Sequence, residues 1–543
     1  MRDDKIASPA TDAAEVDRRL AVLAQCREAE QRWQQQPGRM LMLFFDGTGN
    51  MLGNNRDTNV VKLFRAVDKT PEARQIAYYD PGVGSANDFP AVDPLESRLR
   101  GMAQLVGLAL GRGVFDNIAE GYRFLAEHYR DGDRICIFGF SRGAFTARAV
   151  AGMANMYGLV HPAGLAILPS MVRSYFSQKR TANRAGVERE EFAQDVLSHF
   201  SLGRTPLIHF IGVWDTVESV GIDLFGRGLK ISNNPTIAGK RFVHVRHALA
   251  LHETREKYAP RNYTAPGFDA EEQRHRSFDE RWFRGNHSDV GGSYAEAGLS
   301  NITLRWMMDE AAACGLRFGP EGAGRIDPHQ PMHDQTAVFP FWAWVGLGAR
   351  MRSAGERLDP TAQPVQEATL APPIWRTAPK VAWLGVLLAF ATAGLGWQAW
   401  THAASACSRG GETFSLLLAQ LSAPWLTQRG IHCDTQAVLH ALQWDWALGA
   451  AYALLLAYPV AWAVRRVVPA AIADGRPLAG LTRHARWLML GLVAADAAEN
   501  LLSHGLFGGA NGWALLMGMG LSLASVIKFG CLAGLLKVVI KPG

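Results

Sequence analysis

The chain has 543 residues, which is too long for one ordinary domain, so a soluble unit followed by a further region is expected. Its formal net charge is +6, and the basic residues are scattered or flank apolar stretches. Because they form no stripe interleaved with aromatic side chains, nucleic acid is excluded as an expected partner. Residues 1–38 lack the apolar core of a signal peptide, so we expect the N-terminal domain to be made in the cytoplasm.

Residues 1–37 are an N-terminal extension with an amphipathic helix predicted over residues 15–36. The next segment, residues 38–320, alternates short apolar runs with helical patterns. Strands are predicted over residues 40–45, 75–79, 134–140, 207–213 and 282–284, and helices over residues 105–129, 141–156, 243–252 and 302–316. Such alternation predicts an α/β fold, with a mostly parallel sheet covered by helices on both faces.

The run Gly139-Phe140-Ser141-Arg142-Gly143 is the strongest functional pattern in the chain. A buried strand is predicted before it and a helix after it, which is the context of a nucleophile elbow. Glycines at both ends of the run allow the tight turn that presents a serine hydroxyl at the edge of the sheet. We therefore predict that Ser141 is the nucleophile of an α/β-hydrolase-like serine hydrolase.

In this fold the acid and the histidine follow the serine in chain order. Asp215 comes at the end of a predicted strand, and His287 lies in a loop of small residues, so we expect His287 to be the general base and Asp215 to orient it. Asp289, in the same loop as His287, is an alternative orienting acid. His247 and His252 lie on a helical pattern and are more typical of structural histidines.

A second oxyanion donor is expected beside the backbone N–H of Arg142. The loop that follows the first predicted strand offers Gly47 and Thr48 for this role. An acidic, glycine-rich loop of this kind also suits a metal or a phosphate, but no lysine follows in P-loop spacing. We expect no metal and no cofactor, because the cysteines also lack metal-ligand spacing.

Five ordered motifs in residues 38–320 resemble the catalytic domain of type VI secretion phospholipase effectors of the first lipase-effector family, a group long described as a domain of unknown function. The motifs are Phe44-Phe45-Asp46-Gly47-Thr48-Gly49-Asn50, Gly139-Phe140-Ser141-Arg142-Gly143-Ala144, Val213-Trp214-Asp215-Thr216-Val217, His247-Ala248-Leu249-Ala250 and Trp282-Phe283-Arg284-Gly285-Asn286-His287-Ser288-Asp289-Val290-Gly291-Gly292.

The resemblance implies hydrolysis of glycerophospholipid esters, often of phospholipase A type, by a serine, aspartate and histidine triad without an obligatory cofactor. Carried onto this chain, those roles fall on Ser141, Asp215 and His287. It also implies membrane phospholipid as the substrate, and a type VI secretion spike or an immunity protein as a partner of an antibacterial effector. The chain departs from secreted effectors in its apolar C-terminal part, which is more typical of a resident membrane enzyme.

Residues 321–380 are predicted to be a connector, and residues 381–543 a membrane region of about four transmembrane helices. The spans are predicted over residues 381–400, 446–464, 487–506 and 513–536, each of bilayer-spanning length, with tryptophans near their ends. Basic residues cluster before the first span, between the second and third, and after the fourth. The positive-inside rule then places these segments and the catalytic domain in the cytoplasm, on a bacterial inner membrane. The loop on the other side carries Cys407 and Cys433, which would form a disulfide if that side is oxidising.

Three charged residues fall within the predicted spans, namely Asp496, Glu499 and Lys528. Charges at membrane depth are costly, so Lys528 is expected to pair with one of the acids, or the group belongs to a functional polar path.

Two alternatives to a phospholipase remain. One is a membrane-anchored serine hydrolase acting on another ester, and the other is a membrane sensor or transport protein whose hydrolase-like domain is regulatory.

Overall fold

The computed structural model describes two compact units. The first comprises Met1–Glu253, Lys257–His333 and Arg352–Pro364, and the second comprises Thr254–Glu256, Asp334–Met351 and Val365–Gly543. Within them the described residues are 13–47, 56–82, 112–176, 184–217, 235–348, 350, 352, 356–362, 379–404, 407–409, 412–414, 431–473, 479–507, 523–524, 526–528 and 530–535.

The first unit is built on a parallel sheet. Its strands are β1 (Met40–Phe45), β2 (Gln75–Asp80), β3 (Arg134–Phe140), β4 (Ile208–Trp214), β5 (Phe242–Ala250), β6 (Ser277–Phe283) and β7 (Arg357–Leu358). They are ordered β2-β1-β3-β4-β5-β6-β7, and every pairing is parallel. All residues of β1 and β4 are buried, because a sheet covered on both faces leaves its central strands no polar side. The predicted α/β class and mostly parallel sheet are confirmed.

Helices cover both faces of this sheet. They are α1 (Ala13–Gln35), α2 (Asn59–Ala66), α3 (Arg112–His128), α4 (Arg142–Tyr157), α5 (Leu168–Phe176), α6 (Arg184–Asp195), α7 (His287–Gly291) and α8 (Gly298–Ala313). Apolar residues of α3, α4 and α5 form one core with the sheet, and those of α2 and α8 form another. The strand order reverses between β1 and β3, so the loops after these strands diverge and leave a crevice at the carboxyl edge, where ligands bind in such sheets.

The helix predicted over residues 243–252 is wrong, because this stretch is β5. It pairs with β4 on one side and with β6 on the other. Its polar residues have partners in the folded chain. Arg246 Nε lies 2.5 Å from Glu310 Oε2, and His247 Nδ1 lies 2.8 Å from Glu280 Oε2. Strand β6 also begins five residues earlier than predicted, at Ser277.

The stretch predicted as a connector contributes to both units. Strand β7 extends the sheet of the first unit beside β6. The second unit takes two short helices from this stretch, α9 (Gln335–Val338) and α10 (Trp342–Val345). The second of them includes part of an aromatic patch, Phe339-Pro340-Phe341-Trp342-Ala343-Trp344. Trp344 Nε1 donates a hydrogen bond to the carbonyl of Ala453 at 3.0 Å. The patch is therefore packed, at least in part, against another helix of the same unit.

The described part of the second unit has three long helices, α11 (Pro379–Ala404), α12 (Thr435–Ala473) and α13 (Ala479–Phe507), and three short strands, β8 (Cys407–Arg409), β9 (Glu412–Phe414) and β10 (Ile431–Cys433). Among these residues, two helical stretches, Lys380–Ala404 and Gln436–Val464, are long and apolar enough to cross a membrane. They overlap the first two predicted spans. Within the described residues α13 does not reach this standard. Residues 513–522 of the fourth predicted span lie outside the described part, so four spans are not established.

Charged residues of the second unit are buried among apolar helices. Lys528 Nζ donates to Glu499 Oε2 at 3.0 Å and also pairs with Asp496. The two acids are almost fully buried, whereas Trp383, Phe390 and Trp397 of α11 are mostly exposed. The predicted pairing of Lys528 is thus present. Strands β8 and β10 also place Cys407 opposite Cys433, although the side chains of these cysteines lie outside the described part, so the disulfide stays a prediction.

Candidate active site

Ser141 occupies the sharp turn between β3 and α4. Its backbone has φ 58° and ψ −121°, a region that non-glycine residues rarely adopt and that costs about 1–3 kcal/mol. The Ser141 N–H donates to the carbonyl of Trp214 at 3.1 Å, which ties the turn to β4. Its side chain makes no capping hydrogen bond to α4 although it stands at the N-cap. The turn thus has the strain and the strand–helix context of a nucleophile elbow.

Glycine is required on both sides of the turn by close backbone approach. A Cβ atom on Gly139 would overlap the carbonyl of Gly143, and one on Gly143 would overlap the carbonyl oxygens of Phe45 and Asp46. The first turn of α4 is therefore pressed against the end of β1. Larger side chains at these positions would push the helix, and with it Ser141, out of place.

The parallel register brings the predicted triad residues to one edge of the sheet. Phe140 pairs with Trp214 across β3 and β4, so Ser141 and Asp215 follow the ends of neighbouring strands in step. His287 begins α7, four residues after the end of β6. Residues far apart in sequence meet here because the carboxyl ends of parallel strands share one edge.

Asp215 is hydrogen-bonded to His287. The His287 Nδ1 atom lies 2.5 Å from Asp215 Oδ2, and the other carboxylate oxygen accepts the backbone N–H of Ala250 at 2.9 Å. The carboxylate is fully buried, and its backbone φ is 41°. With the Nδ1 proton held by Asp215, the Nε2 atom is the ring nitrogen left to accept a proton.

Two aromatic rings and one carboxylate fix the position of His287. Its ring lies 4.6 Å from that of Phe140, the neighbour of Ser141, and 5.0 Å from that of Tyr258, centroid to centroid. Its backbone N–H donates to Glu253 Oε2 at 3.2 Å. The imidazole therefore lies beside the elbow. Neither Tyr258 nor Glu253 could be predicted, because both lie in an irregular stretch after β5 without a local pattern.

The alternative acid Asp289 has other partners. Its Oδ1 atom lies 2.6 Å from His333 Nδ1, and its Oδ2 accepts the backbone N–H groups of Asn286 and His333 at 3.0 and 3.1 Å. His333 was not predicted, because it lies 44 residues further along the chain, in the stretch predicted as a connector. Asp215, and not Asp289, is the acid that the structure brings to His287.

The two competing histidines are hydrogen-bonded in other networks. His247 lies between Glu280 and the backbone N–H of Thr216, which donates to its Nε2 at 3.2 Å. His252 Nδ1 accepts the backbone N–H of Gly285 at 3.1 Å, and burial lowers its pKa to about 4. Both are partnered histidines, although they lie on or after a strand and not on a helix.

The oxyanion candidates differ in how they are placed. The backbone N–H of Arg142 is the first of α4, where helix N–H groups have no partner within the helix. The N–H of Gly47 donates to Asp46 Oδ1 at 2.6 Å, and Asp46 Oδ2 accepts Thr58 and Tyr79 hydroxyls at 2.9 and 3.0 Å. Thr48 lies outside the described residues. The backbone N–H of Arg142 is therefore better placed than that of Gly47 to donate to an oxyanion.

The Arg142 side chain is a half-buried cation beside the nucleophile. It has no ion pair with any residue that the structure describes, and burial lowers the pKa of its guanidinium, partly offset by nearby Tyr258. The same described part of the chain contains no group of three or more histidine, cysteine or acidic side chains placed to hold a metal. The groups that the structure brings to this site are a serine, a histidine hydrogen-bonded to an aspartate, a backbone N–H donor and a guanidinium cation.

A cavity of about 440 Å³ lies in the first unit but away from the elbow. Its lining includes Arg134, Leu207 and Val243, at the amino ends of three strands, together with side chains of α1 such as Trp33. It opens at the edge of the sheet opposite Ser141, so it is not the cleft from which a substrate reaches the nucleophile. Residues 83–111, shortly after β2, and residues 218–234, shortly after Asp215, lie outside the described part.

Comparisons with known proteins agree with the motifs. The family model of the catalytic domain of Tle1-like phospholipase effectors of the type VI secretion system (T6SS) matches residues 39–310, half of the chain. The chain is also 28% identical over 407 aligned residues to the uncharacterized protein YEL023C of Saccharomyces cerevisiae, with 52% of this chain and 58% of the yeast protein covered. It therefore spans little more than half the length of that relative.

A crystal structure of an uncharacterized protein from Pseudomonas aeruginosa is similar over 90% of this chain and 70% of that chain, at 17% identity and a TM-score of 0.30. A similarity of that size does not establish a shared fold. The match to the family model assigns the chain to a family, and it covers the segment that contains the elbow, Asp215 and His287. The chain belongs to the Tle1-like family of T6SS phospholipase effectors, and its residues 39–310 match the catalytic domain of that family.

Proposed function

We propose that the chain hydrolyses acyl esters of glycerophospholipids, with phospholipase A type products, through Ser141, Asp215 and His287. The observation that carries the proposal is the 2.5 Å contact between Asp215 and His287 beside a strained Ser141 turn. Family membership supports phospholipase or lipase chemistry in general terms. The residue roles are inferred from this geometry.

In the first half of the reaction, the Ser141 hydroxyl oxygen attacks the ester carbonyl carbon while its proton passes to Nε2 of His287. Negative charge develops on the carbonyl oxygen and is stabilised by the Arg142 N–H at the start of α4. Asp215 stabilises the imidazolium through Nδ1. The intermediate collapses, His287 gives the proton to the glycerol oxygen, and a lysophospholipid leaves.

In the second half, His287 takes a proton from water, and the resulting hydroxide attacks the acyl-serine carbonyl. The bond to the Ser141 oxygen breaks, the proton returns to that oxygen, and a fatty acid is released. The same histidine thus acts as base and acid in both halves, without a cofactor or metal in any step.

The charge beside the nucleophile favours a phosphate-bearing substrate over a neutral lipid. A cation at the N-terminus of a helix opposes the helix dipole, and a partly buried guanidinium loses hydration. Arg142 bears both costs without an ion pair in the described part of the chain. A lipid phosphodiester close to Ser141 would offset both, because guanidinium binds phosphate oxygens in bidentate fashion.

The second unit supports action at a lipid surface. It has two helices that are long and apolar enough to cross a bilayer, with large apolar side chains facing outward and its acids buried against Lys528. We infer that it inserts in the membrane as a multi-pass region, with the catalytic unit on the cytoplasmic side. Delivery by a type VI secretion spike and neutralisation by an immunity protein belong to the same proposal, since the family consists of T6SS effectors.

The test is product analysis on the purified full chain with vesicles of phosphatidylethanolamine and phosphatidylglycerol. The wild type is expected to release fatty acid and lysophospholipid in equal amounts, and Ser141→Ala is expected to release neither. Release of a headgroup, or of products from another ester only, would favour the membrane-anchored hydrolase with a different substrate. Full activity of Ser141→Ala would refute the proposed nucleophile.

A further inference from the structure

A second histidine–carboxylate pair is built into the helix that begins at His287. Asp289 lies within α7, and its Oδ1 atom is 2.6 Å from His333 Nδ1. The backbone N–H of His333 donates to the other carboxylate oxygen at 3.1 Å. His333 is thus hydrogen-bonded to both carboxylate oxygens of Asp289, whose side chain is fully buried.

His333 also holds the residue that caps α7. Asn286 Oδ1 accepts the backbone N–H groups of Ser288 and Asp289 at 3.0 Å each, and the Asn286 N–H donates back to Asp289 at 3.0 Å. The Asn286 Nδ2 atom in turn donates to the carbonyl of His333 at 2.9 Å. Both residues of the capping box, Asn286 and Asp289, are therefore hydrogen-bonded to His333, through its backbone and its side chain.

This support is more than a short helix needs for capping alone. An isolated helix of five residues has no stability of its own, so the orientation of α7 depends on what it is bonded to. The capping box, together with Glu253, which accepts the His287 N–H, already satisfies the free N–H groups of the first turn. The added contacts of His333, including stacking of its ring on Tyr294 with centroids 3.6 Å apart, fix the helix relative to the segment before α8.

We propose that His333 is a positioning residue for the acyl-transfer reaction, acting through Asp289 and Asn286 to hold the imidazole of His287 against Asp215. The inference rests on the proposed function of Ser141 and His287. His333 does not touch the reacting atoms. Its effect comes from the precision with which α7 presents the general base, and a displacement of about 1 Å costs on the order of 10²-fold in rate.

The protonated form of His333 is the stronger support. Burial lowers the pKa of His333, but its hydrogen bonds to Asp289 and Glu296 outweigh burial and leave the pKa above its ordinary value. The Nε2 atom of His333 lies 3.4 Å from Glu296 Oε2. When Nε2 loses its proton, it no longer donates to this carboxylate, and its lone pair faces the negative charge. These acids also interact electrostatically with arginines: Asp289 with Arg284, and Glu296 with Arg56.

The sign of the pH effect follows from these groups. Charge-assisted hydrogen bonds are stronger than neutral ones, so α7 is held best below the pKa of His333 and less well above it. Activity of the wild type should therefore decline on the alkaline side as His333 loses its proton. A side chain that donates to Asp289 but does not titrate should abolish that decline.

The experiment compares His333→Asn with His333→Phe in the full chain, using phosphatidylglycerol vesicles. Asparagine places an amide N–H where Nδ1 was, and phenylalanine keeps a ring to stack on Tyr294 but donates nothing. We expect kcat of His333→Phe to fall by about 10- to 100-fold with little change in KM. His333→Asn should recover most of that loss and show no alkaline decline. Rates of the wild type and of the His333 variants are expressed per Ser141 site titrated with a fluorophosphonate, so that misfolded protein is not counted.

Equal losses in the two variants, or an alkaline decline that persists unchanged in His333→Asn, would overturn the inference. Ser141→Ala is measured in parallel to separate this outcome from failure of the proposed function. If Ser141→Ala is inactive and His333→Phe equals the wild type, only the role of His333 fails. If Ser141→Ala is active, the proposed nucleophile fails whatever the His333 variants do.

Discussion

Asp215 Oδ2 and His287 Nδ1 lie 2.5 Å apart, although the two residues are separated by 71 others in the chain. The carboxylate is fully buried, and its second oxygen is bonded to the backbone of β5. An acid so enclosed cannot reorient easily, so it fixes both the direction of the imidazole and the nitrogen that carries its proton. The two predicted acids can be told apart on this basis.

Asp215→Asn should lower kcat more than Asp289→Asn. The amide at residue 215 would favour the wrong imidazole tautomer, a change that costs about 10⁴-fold in serine hydrolases of known mechanism. Asp289 acts on the position of α7, so its loss should cost about 10- to 100-fold. Initial rates on phosphatidylglycerol vesicles give the comparison. Asp309→Asn, on an exposed helical pair with Arg305, is the matched control and should match the wild type. The reverse order of the two losses would make Asp289 the orienting acid.

Gly143→Ala should destabilise the first unit and reduce activity. The added methyl group would overlap the carbonyl oxygens of Phe45 and Asp46, and overpacking of this kind costs about 1–3 kcal/mol. Gly322→Ala is the control, because nothing lies within 4 Å of a Cβ atom at that position. Thermal unfolding followed together with ester hydrolysis checks both effects. Equal unfolding midpoints for the two variants would mean that α4 can shift away from β1 at little cost.

Arg142→Gln should change which lipids are hydrolysed. Without the guanidinium the site loses a phosphate ligand but keeps the backbone N–H that stabilises the oxyanion. We expect the ratio of kcat/KM for phosphatidylglycerol to kcat/KM for diacylglycerol to fall about tenfold or more, since a charged hydrogen bond contributes about 1.5–3 kcal/mol. Arg142→Lys, which keeps the charge, should show a smaller fall. An unchanged ratio would assign the Arg142 charge to stability alone.

His252 should make the first unit less stable at acidic pH. Burial lowers its pKa to about 4, whereas an unfolded histidine titrates near 6.5. Between these values the unfolded chain binds more protons, so the free energy of unfolding decreases as the pH falls, by up to about 1.4 kcal/mol per pH unit for this group. His252→Asn keeps an acceptor for Gly285 and does not titrate, so its stability should depend less steeply on pH. Urea unfolding followed by proteolysis at several pH values measures both slopes, and identical slopes would contradict the assignment.

Much of the fold was predictable from local patterns. The runs that became β1 and β3 are continuously apolar and end at turn residues, which is typical of strands buried on both faces. The run that became β5 was predicted as a helix, and it carries an arginine and two histidines. Their partners, Glu310 and Glu280 among them, come from later in the chain. No local pattern reveals that such charges are neutralised by distant residues.

The candidate site was predictable in part. Ser141 follows from five adjacent residues, and Asp215 and His287 from chain order at strand ends. The choice between Asp215 and Asp289 needed the structure, because it depends on which carboxylate contacts His287 in the folded chain. Asp215 does, whereas Asp289 is bonded to His333 of the predicted connector. The same holds for Gly47, whose N–H is taken by its neighbour Asp46.

The most direct test of the central claim is covalent trapping of the nucleophile. The full chain is treated with a fluorophosphonate, digested and analysed by mass spectrometry, beside Asp215→Asn and His287→Ala. The account predicts one adduct, on Ser141, that forms far more slowly in both variants because the general base is absent or misdirected. An adduct on another serine, or labelling of Ser141 at the wild-type rate in both variants, would contradict it.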